Sequence, residues 1–200
     1  MTRMRMDTCS DKQEFNQLIS DVLSYNHQFV LDGKYKPHVA GNLPRKKLAI
    51  VTCMDTRLTT LLPAALGFKN GDAKIIKTAG AIINEPYGSV MRSLLIAIYG
   101  LKVKTILVIG HHDCGARSVS GKALVKSMED RGITEEQLTT ASKETDVAEW
   151  LEGFHHLGHN VKSSVALVRN HPLVPDDIVV KGLVIDPHTG ELSDFLDCED

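Results

Sequence analysis

Two short segments, well separated in the chain, carry residue types that bind metals and move protons. The first is Cys53-Met54-Asp55-Thr56-Arg57, and the second is His111-His112-Asp113-Cys114-Gly115. Each follows a mainly apolar run, Leu48 to Thr52 and Lys104 to Ile109, of the kind that forms a buried parallel strand. His-x-x-Cys in a turn after a strand can bring both side chains to one ion. Two thiolates and one imidazole suit Zn²⁺, and three protein ligands leave a fourth position open for water. Zinc lowers the pKa of bound water toward neutrality, so an open site points to chemistry and not only to structure.

Asp55 and Arg57 follow Cys53 at alternate positions. On an extended backbone all three share one side. A carboxylate and a guanidinium pair through two parallel hydrogen bonds. Taken alone, the couple fits a structural ion pair at a strand end equally well. Gly115 allows a tight turn after Cys114. His112 stands beside a ligand, and an imidazole titrates near neutral pH and can carry protons; a packing role fits it as well. His155 and His159, at i, i+4 spacing, read as a solvated helix face.

Elements that must position these residues are legible around them. Ser10 to Val30 has an apolar stripe of Phe15, Leu18, Ile19 and Val22 at helical spacing. Leu58 to Leu66 predicts a short helix interrupted near Pro63, and Ala73 to Thr78 a second strand. Glu85-Pro86 opens a helix that Gly100 stops. Lys122 to Ser142 predicts one or two helices with a break at Gly132, and Thr134 with Gln137 a capping box. Asp146 to Arg169 reads as one long helix with Val147, Trp150, Leu151, Phe154, Val161, Val165 and Val168 inward. Ile178 to Ile185 predicts a fourth strand. The alternation predicts an α/β fold: a mainly parallel central sheet flanked by helices, with an N-terminal helical arm. Residues 1–44 read as arm and loop, and 45–200 as a zinc-binding core, in a single domain. Both motifs fall at C-terminal strand ends, where open α/β sheets bind ligands.

The bulk numbers set limits. The chain has 200 residues, 42% of them hydrophobic, and a formal net charge of −2, which offers no basic footprint for nucleic acid or anionic membrane. No apolar run approaches the roughly 20 residues of a membrane span, and Met1 to Met6 has no apolar core of a secretory signal. Four cysteines (Cys9, Cys53, Cys114 and Cys198) are too few for a disulfide scaffold, which fits a reducing cytoplasm.

Taken together, Cys53-x-Asp55-x-Arg57 and His111-x-x-Cys114-Gly115 resemble the signature of the β-class carbonic anhydrases. Thr78-Ala79-Gly80 is similar to that family's Asn-Ala-Gly segment, and the span from about Leu48 to Gly115 matches in order and spacing. The resemblance implies a zinc enzyme that reversibly hydrates CO2 to bicarbonate by attack of zinc-bound hydroxide, active as a homodimer or higher oligomer. It implies Cys53, His111 and Cys114 as ligands, with Asp55 aiming the hydroxide and Arg57 holding Asp55 off the metal. By analogy with the family, Gly80 and Gly115 would let backbone approach the substrate; a small nonpolar substrate needs an apolar pocket, and residues near Ile82, Ile83 and Tyr87 are expected to line it. His112 stands where the family often has Ser, and Lys77-Thr78 where Arg-Asn is common. These departures resemble a divergent branch that includes carbon disulfide and carbonyl sulfide hydrolases, which makes a sulfur analogue of CO2 the alternative substrate. A reading of another class is a non-catalytic zinc-stabilised binding protein, with Asp55 or a terminal Cys as fourth ligand. A thiol redox protein fits less well, because no Cys-x-x-Cys is present.

Overall fold

β-Branched and aliphatic runs separated by turn residues build a five-stranded sheet covered on both faces. A computed structural model describes residues 9–194, with side chains from residue 12 onward; the Cys9 side chain and Cys198 lie outside the described residues. In chain order the elements are α1 (Cys9–Leu31), β1 (Leu48–Cys53), α2 (Leu58–Ala65), β2 (Ala73–Thr78), α3 (Ser89–Leu101), β3 (Thr105–His111), α4 (Gly121–Asp130), α5 (Glu135–Ala141), α6 (Val147–Trp150), α7 (Leu157–Arg169), β4 (Val179–Ile185) and β5 (Leu192–Asp194). The strand order is β2-β1-β3-β4-β5. The first four strands run parallel, and β5 returns antiparallel on β4. β5 is the strand the sequence did not announce; at three residues it is too short to carry a period.

Every residue of β1 is buried, because helices cover both faces and no side of the strand meets water. Ala49, Val51, Ile106, Val108 and Val184 pack with α3 and α7 through Met91, Leu94, Val161, Val165 and Val168. Leu48, Ile50, Ile109 and Ile185 pack with Leu58 and Leu62 of α2. The chain steps from β1 outward to β2, then crosses back over β1 to β3. The strand order therefore reverses between β1 and β3, which makes their C-terminal ends the switch point where such sheets form a binding crevice.

Four local expectations change. Pro63 does not interrupt α2: in so short a helix it removes one ladder bond, and buried Leu58 and Leu62 anchor the rest. α3 begins at Ser89, not at Glu85-Pro86, after a turn in which the Gly88 N–H donates to the Glu85 carbonyl. Gly100 lies inside α3, and Lys102 ends it in the left-handed conformation (φ +59°), its N–H donating to the Ala97 carbonyl. The predicted helix from Asp146 to Arg169 is two helices, α6 and α7, separated at residues 151–156. Its apolar period is continuous, but Gly153 leaves the helix to lie against the stretch after the second motif. The Gly153 N–H donates to the Val119 carbonyl and the Phe154 N–H to the Ala116 carbonyl. A Cβ on Gly153 would lie 1.9 Å from the Ala116 oxygen. Trp150 is consequently exposed, not inward, and His155 lies outside any helix. The Thr134–Gln137 capping box forms as expected, with both reciprocal bonds.

Candidate active site

β1 ends at Cys53 and β3 at His111, and their register sets Thr52 opposite Ile109. The two motifs thus meet side by side. After His111 the chain turns sharply through Asp113, which takes a left-handed φ of +52°, and this returns Cys114 to the strand ends. The turn expected at Gly115 belongs to Asp113 instead; Gly115 opens the helical turn that follows.

Cys53, His111 and Cys114 are all buried, and their ligand atoms lie within 4.8 Å of one another. The two sulfurs are 3.7 Å apart. Tetrahedral zinc with Zn–S near 2.3 Å would hold two sulfurs about 3.8 Å apart. His111 Nδ1 donates to the His112 carbonyl at 2.7 Å, which fixes the tautomer with a lone pair on Nε2. Nε2 is buried with no hydrogen-bond partner. An orphaned buried acceptor is costly, and here it faces two sulfurs. The residues present fit a zinc ion.

Electrostatics agree. The hydrogen bond between the two sulfurs pulls the Cys53 thiol well below the ordinary thiol range and holds the Cys114 thiol above it. One sulfur of such a pair is favoured as thiolate, the form that binds a cation.

Arg57 grips Asp55 at three points. Its Nε donates to Asp55 Oδ1 at 3.1 Å, its Nη2 to Oδ2 at 2.8 Å, and its backbone N–H to Oδ1 at 2.9 Å. The pairing is as expected but its cause differs. Strand geometry stops at Cys53, and Arg57 has helical dihedrals at the start of α2. A tight turn, not an extended segment, brings the two together. Arg57 Nη2 also donates to the Asp113 carbonyl at 3.0 Å, tying the first motif to the second. Hydrogen bonds from Arg57 hold the Asp55 carboxyl down at about 2. Its Oδ2 lies 3.8 Å from His111 Nε2, close to the ligand set.

A cavity of about 470 Å³ opens from this site to the surface, lined by Cys53, Asp55, Arg57, Gly80, Cys114 and Gly115 among others. Gly80 and Gly115 thus both lie in the wall of that cavity. Gly80 requires its lack of a side chain: its φ is +69°, and a Cβ would lie 2.9 Å from the Ala116 methyl and 3.0 Å from the Phe154 ring. Ile82, Ile83 and Tyr87 are not among that cavity's walls. Ile83 is buried in the core, Ile82 flanks a small crevice beside Glu85, and Tyr87 is 77% exposed, lining a groove along α3 instead. His112 is exposed and borders a narrower cavity of about 90 Å³ with His111, Cys114, Arg117 and Phe154. Phe154 reads from sequence only as an inward residue of a helix; Gly153 before it is the one local signal of a break. His188 was unassigned, and its Nε2 lies 3.3 Å from Asp113 Oδ2.

Residues 48–192, from β1 into β5, match the family model described as carbonic anhydrase. The chain belongs to the β-carbonic anhydrase family. Among curated β-carbonic anhydrase relatives, YvdA of Bacillus subtilis (strain 168), whose own carbonic anhydrase assignment is provisional, is 47% identical over 180 residues, covering 88% of this chain and 91% of that one. A carbon disulfide hydrolase of Acidianus sp. (strain A1-3) is 31% identical over 167 residues, covering 77% and 79%. The crystal structure of β-carbonic anhydrase isoform I from Trichomonas vaginalis superposes with a TM-score of 0.79 at 34% identity, over 88% of this chain and 96% of that one. The fold and the family expected from the two motifs are thus those found.

Proposed function

We propose that this chain is a zinc-dependent carbonic anhydrase that reversibly converts CO2 and water to bicarbonate and a proton. Cys53, His111 and Cys114 hold the ion, and Asp55 and Arg57 prepare the reaction. When bound, zinc supplies a Lewis acid that makes hydroxide available from water near neutral pH. Asp55 accepts a hydrogen bond from the attacking oxygen and turns its lone pair toward the substrate carbon. Gly80 and Gly115 leave room for the small linear substrate against backbone. His112, exposed beside the ligand His111, passes the released proton to buffer.

The observation that carries this reading is the Arg57 grip on Asp55. With Oδ2 3.8 Å from His111 Nε2, Asp55 is near enough to compete for the metal. Both its oxygens accept from Arg57 instead, which keeps a coordination position for reactants. The same grip disfavours a closed, non-catalytic zinc site with Asp55 as fourth ligand. The broad, surface-open cavity favours CO2, which must exchange with water and bicarbonate, over a sulfur analogue drawn down a narrow apolar path. Identity to the carbon disulfide hydrolase relative keeps that substrate as the second reading.

Two further proposals complete the picture. Residues 45–200 form the zinc-binding core and 1–44 an arm that reaches a second copy of the chain. A cytoplasmic location is part of the same proposal, because a reducing compartment keeps both sulfurs free to bind metal. Among the described residues no helix is long and apolar enough to cross a membrane. Purified protein is expected to carry about one zinc per chain. Cys53→Ser and His111→Ala are each expected to lose both zinc and CO2 hydration. Zinc retained at parent stoichiometry in both variants would overturn the ligand assignment.

A further inference from the structure

Among the described residues, Lys47, Ala81, Lys102 and Asp113 have a positive φ without being glycine. Asp113 is the one that stands between two ligands, His111 and Cys114. Its φ is +52°, a conformation that aspartate and asparagine reach more readily than other side chains. Asp113 is exposed, so core packing does not force it there. Neighbouring backbone and one side chain hold it instead. The His112 N–H donates to the Ile185 carbonyl at 3.2 Å, and His188 Nε2 lies 3.3 Å from Asp113 Oδ2. His188 belongs to a tight turn between β4 and β5, where its own N–H and that of Thr189 donate to Asp186 Oδ1.

The φ of a residue sets which way the preceding peptide group faces. A residue leaves the left-handed region with little change of chain path when that peptide turns over, as a type II turn becomes a type I turn. Here the peptide in question joins His112 to Asp113, and its carbonyl accepts from His111 Nδ1 at 2.7 Å. The next carbonyl, that of Asp113 itself, accepts from Arg57 Nη2 at 3.0 Å. One left-handed residue thus aims two successive carbonyls, the first at a ligand and the second at the guanidinium that grips Asp55.

We infer that Asp113 is a positioning residue of the site: its left-handed turn holds the His112 carbonyl on His111 Nδ1 and its own carbonyl on Arg57, so that one turn sets both the ligand ring and the Asp55–Arg57 couple. The inference rests on the zinc reading above and extends it to a residue that supplies no ligand. Turning the 112–113 peptide over would bring an N–H to the place of the oxygen. That favours the ring tautomer with its lone pair on Nδ1 and its proton on Nε2, which is the atom that faces the two sulfurs. Partners at one remove from a metal typically contribute about 10- to 100-fold in affinity or activity.

The test uses full-length protein with nitrogen-15 in its histidine rings, read by NMR both metal-free and zinc-loaded. His111 is buried, so its Nδ1–H is expected as a slowly exchanging signal, identified by its absence in His111→Ala. Asp113→Val is expected to lose that signal, because a β-branched residue resists the left-handed region, and to bind zinc about 10- to 100-fold more weakly. At saturating zinc it is expected to lower kcat with KM little changed, since Arg57 loses its second acceptor. Asp113→Gly, which adopts the turn freely, and Asp113→Asn, which also tolerates it, are expected to keep the signal and to stay close to the parent in affinity and kcat. If Asp113→Val does not fold, Asp113→Ala decides, with the same losses in smaller measure. A parent-like signal and zinc affinity in the Val variant, or in the Ala variant in its place, overturns the inference. So does an Asp113→Gly variant as impaired as Asp113→Val, because the carboxylate and not the turn would then matter. A parent that shows the signal yet binds no zinc overturns the function proposed above; the order of the signal across the variants then still decides whether the turn holds His111.

Discussion

At the scale of single residues, the site depends on a guanidinium holding a carboxylate in a fixed place. Bidentate geometry is specific to arginine. Arg57→Lys is therefore expected to behave like Arg57→Ala: zinc retained, turnover down by about 10-fold or more. Metal analysis beside a CO2 hydration assay checks this, and parent-level turnover at neutral pH in either variant would remove Arg57 from the mechanism. The same grip sets a pH signature. Asp55 sits at about 2 when folded, against roughly 3.9 for a free aspartate. A depressed carboxyl stabilises the fold above its unfolded pKa, and that contribution fades as pH falls toward the folded value. Urea denaturation of parent and Asp55→Asn is expected to show the parent more stable at pH 5, with the gap closing toward pH 2. A gap that holds constant or widens on acidification would contradict the pairing. Much of this scale was legible. Cys, His, Asp and Arg in those two motifs have few other reasons to recur at that spacing after strands. What the sequence concealed was how Asp55 and Arg57 meet, because alternation assumes a strand that in fact ends at Cys53. It also concealed the part played by Asp113, since glycine and not aspartate is the residue that signals a left-handed turn.

At the scale of elements, the two strand ends and the switch between β1 and β3 position the ligands, and the strands were readable because each is a continuous apolar run bounded by polar turns. The break between α6 and α7 was not readable. Val147, Leu151, Phe154 and Val161 continue a helical period across it, and a period reports which side is apolar without requiring one unbroken helix. The break is imposed by tertiary contact at Gly153, where backbone of the 151–156 segment lies on the Ala116 and Val119 carbonyls. Gly153→Ala is accordingly expected to destabilise the fold by about 1–3 kcal/mol and to displace Phe154 from its contact with the Gly80 turn. Denaturant melts check the first, and loss of zinc affinity out of proportion to the stability change checks the second. A variant as stable as the parent would mean that the close approach is not required. The helical ends of α3 tell a similar story: Lys102 rather than Gly100 takes the left-handed cap, so composition located the stop to within two residues but named the wrong residue for it.

At the scale of the whole molecule, α1 leaves an apolar strip uncovered among the described residues. Phe15, Leu18, Val22 and Tyr25 are each more than half exposed, a contiguous apolar strip that a lone chain seldom presents to water. A second copy covering it accounts for the strip and agrees with the expected oligomer. Analytical ultracentrifugation is expected to give a dimer or larger species for the parent. Val22→Glu with Leu18→Glu is expected to shift the mass toward the monomer, and a monomeric parent would contradict the proposal. The amphipathic pattern of α1 was plain in the sequence, yet the pattern alone does not say whose surface it meets. Substrate choice also belongs to this scale, since access from solvent is a property of the assembled cavity. The most direct test of the central claim is a side-by-side turnover assay of protein holding one zinc per chain with CO2, carbonyl sulfide and carbon disulfide. Rapid CO2 hydration that disappears with Cys53→Ser is the result predicted here; zinc-loaded parent protein that leaves CO2 unhydrated, whether or not it consumes a sulfur analogue, would contradict it.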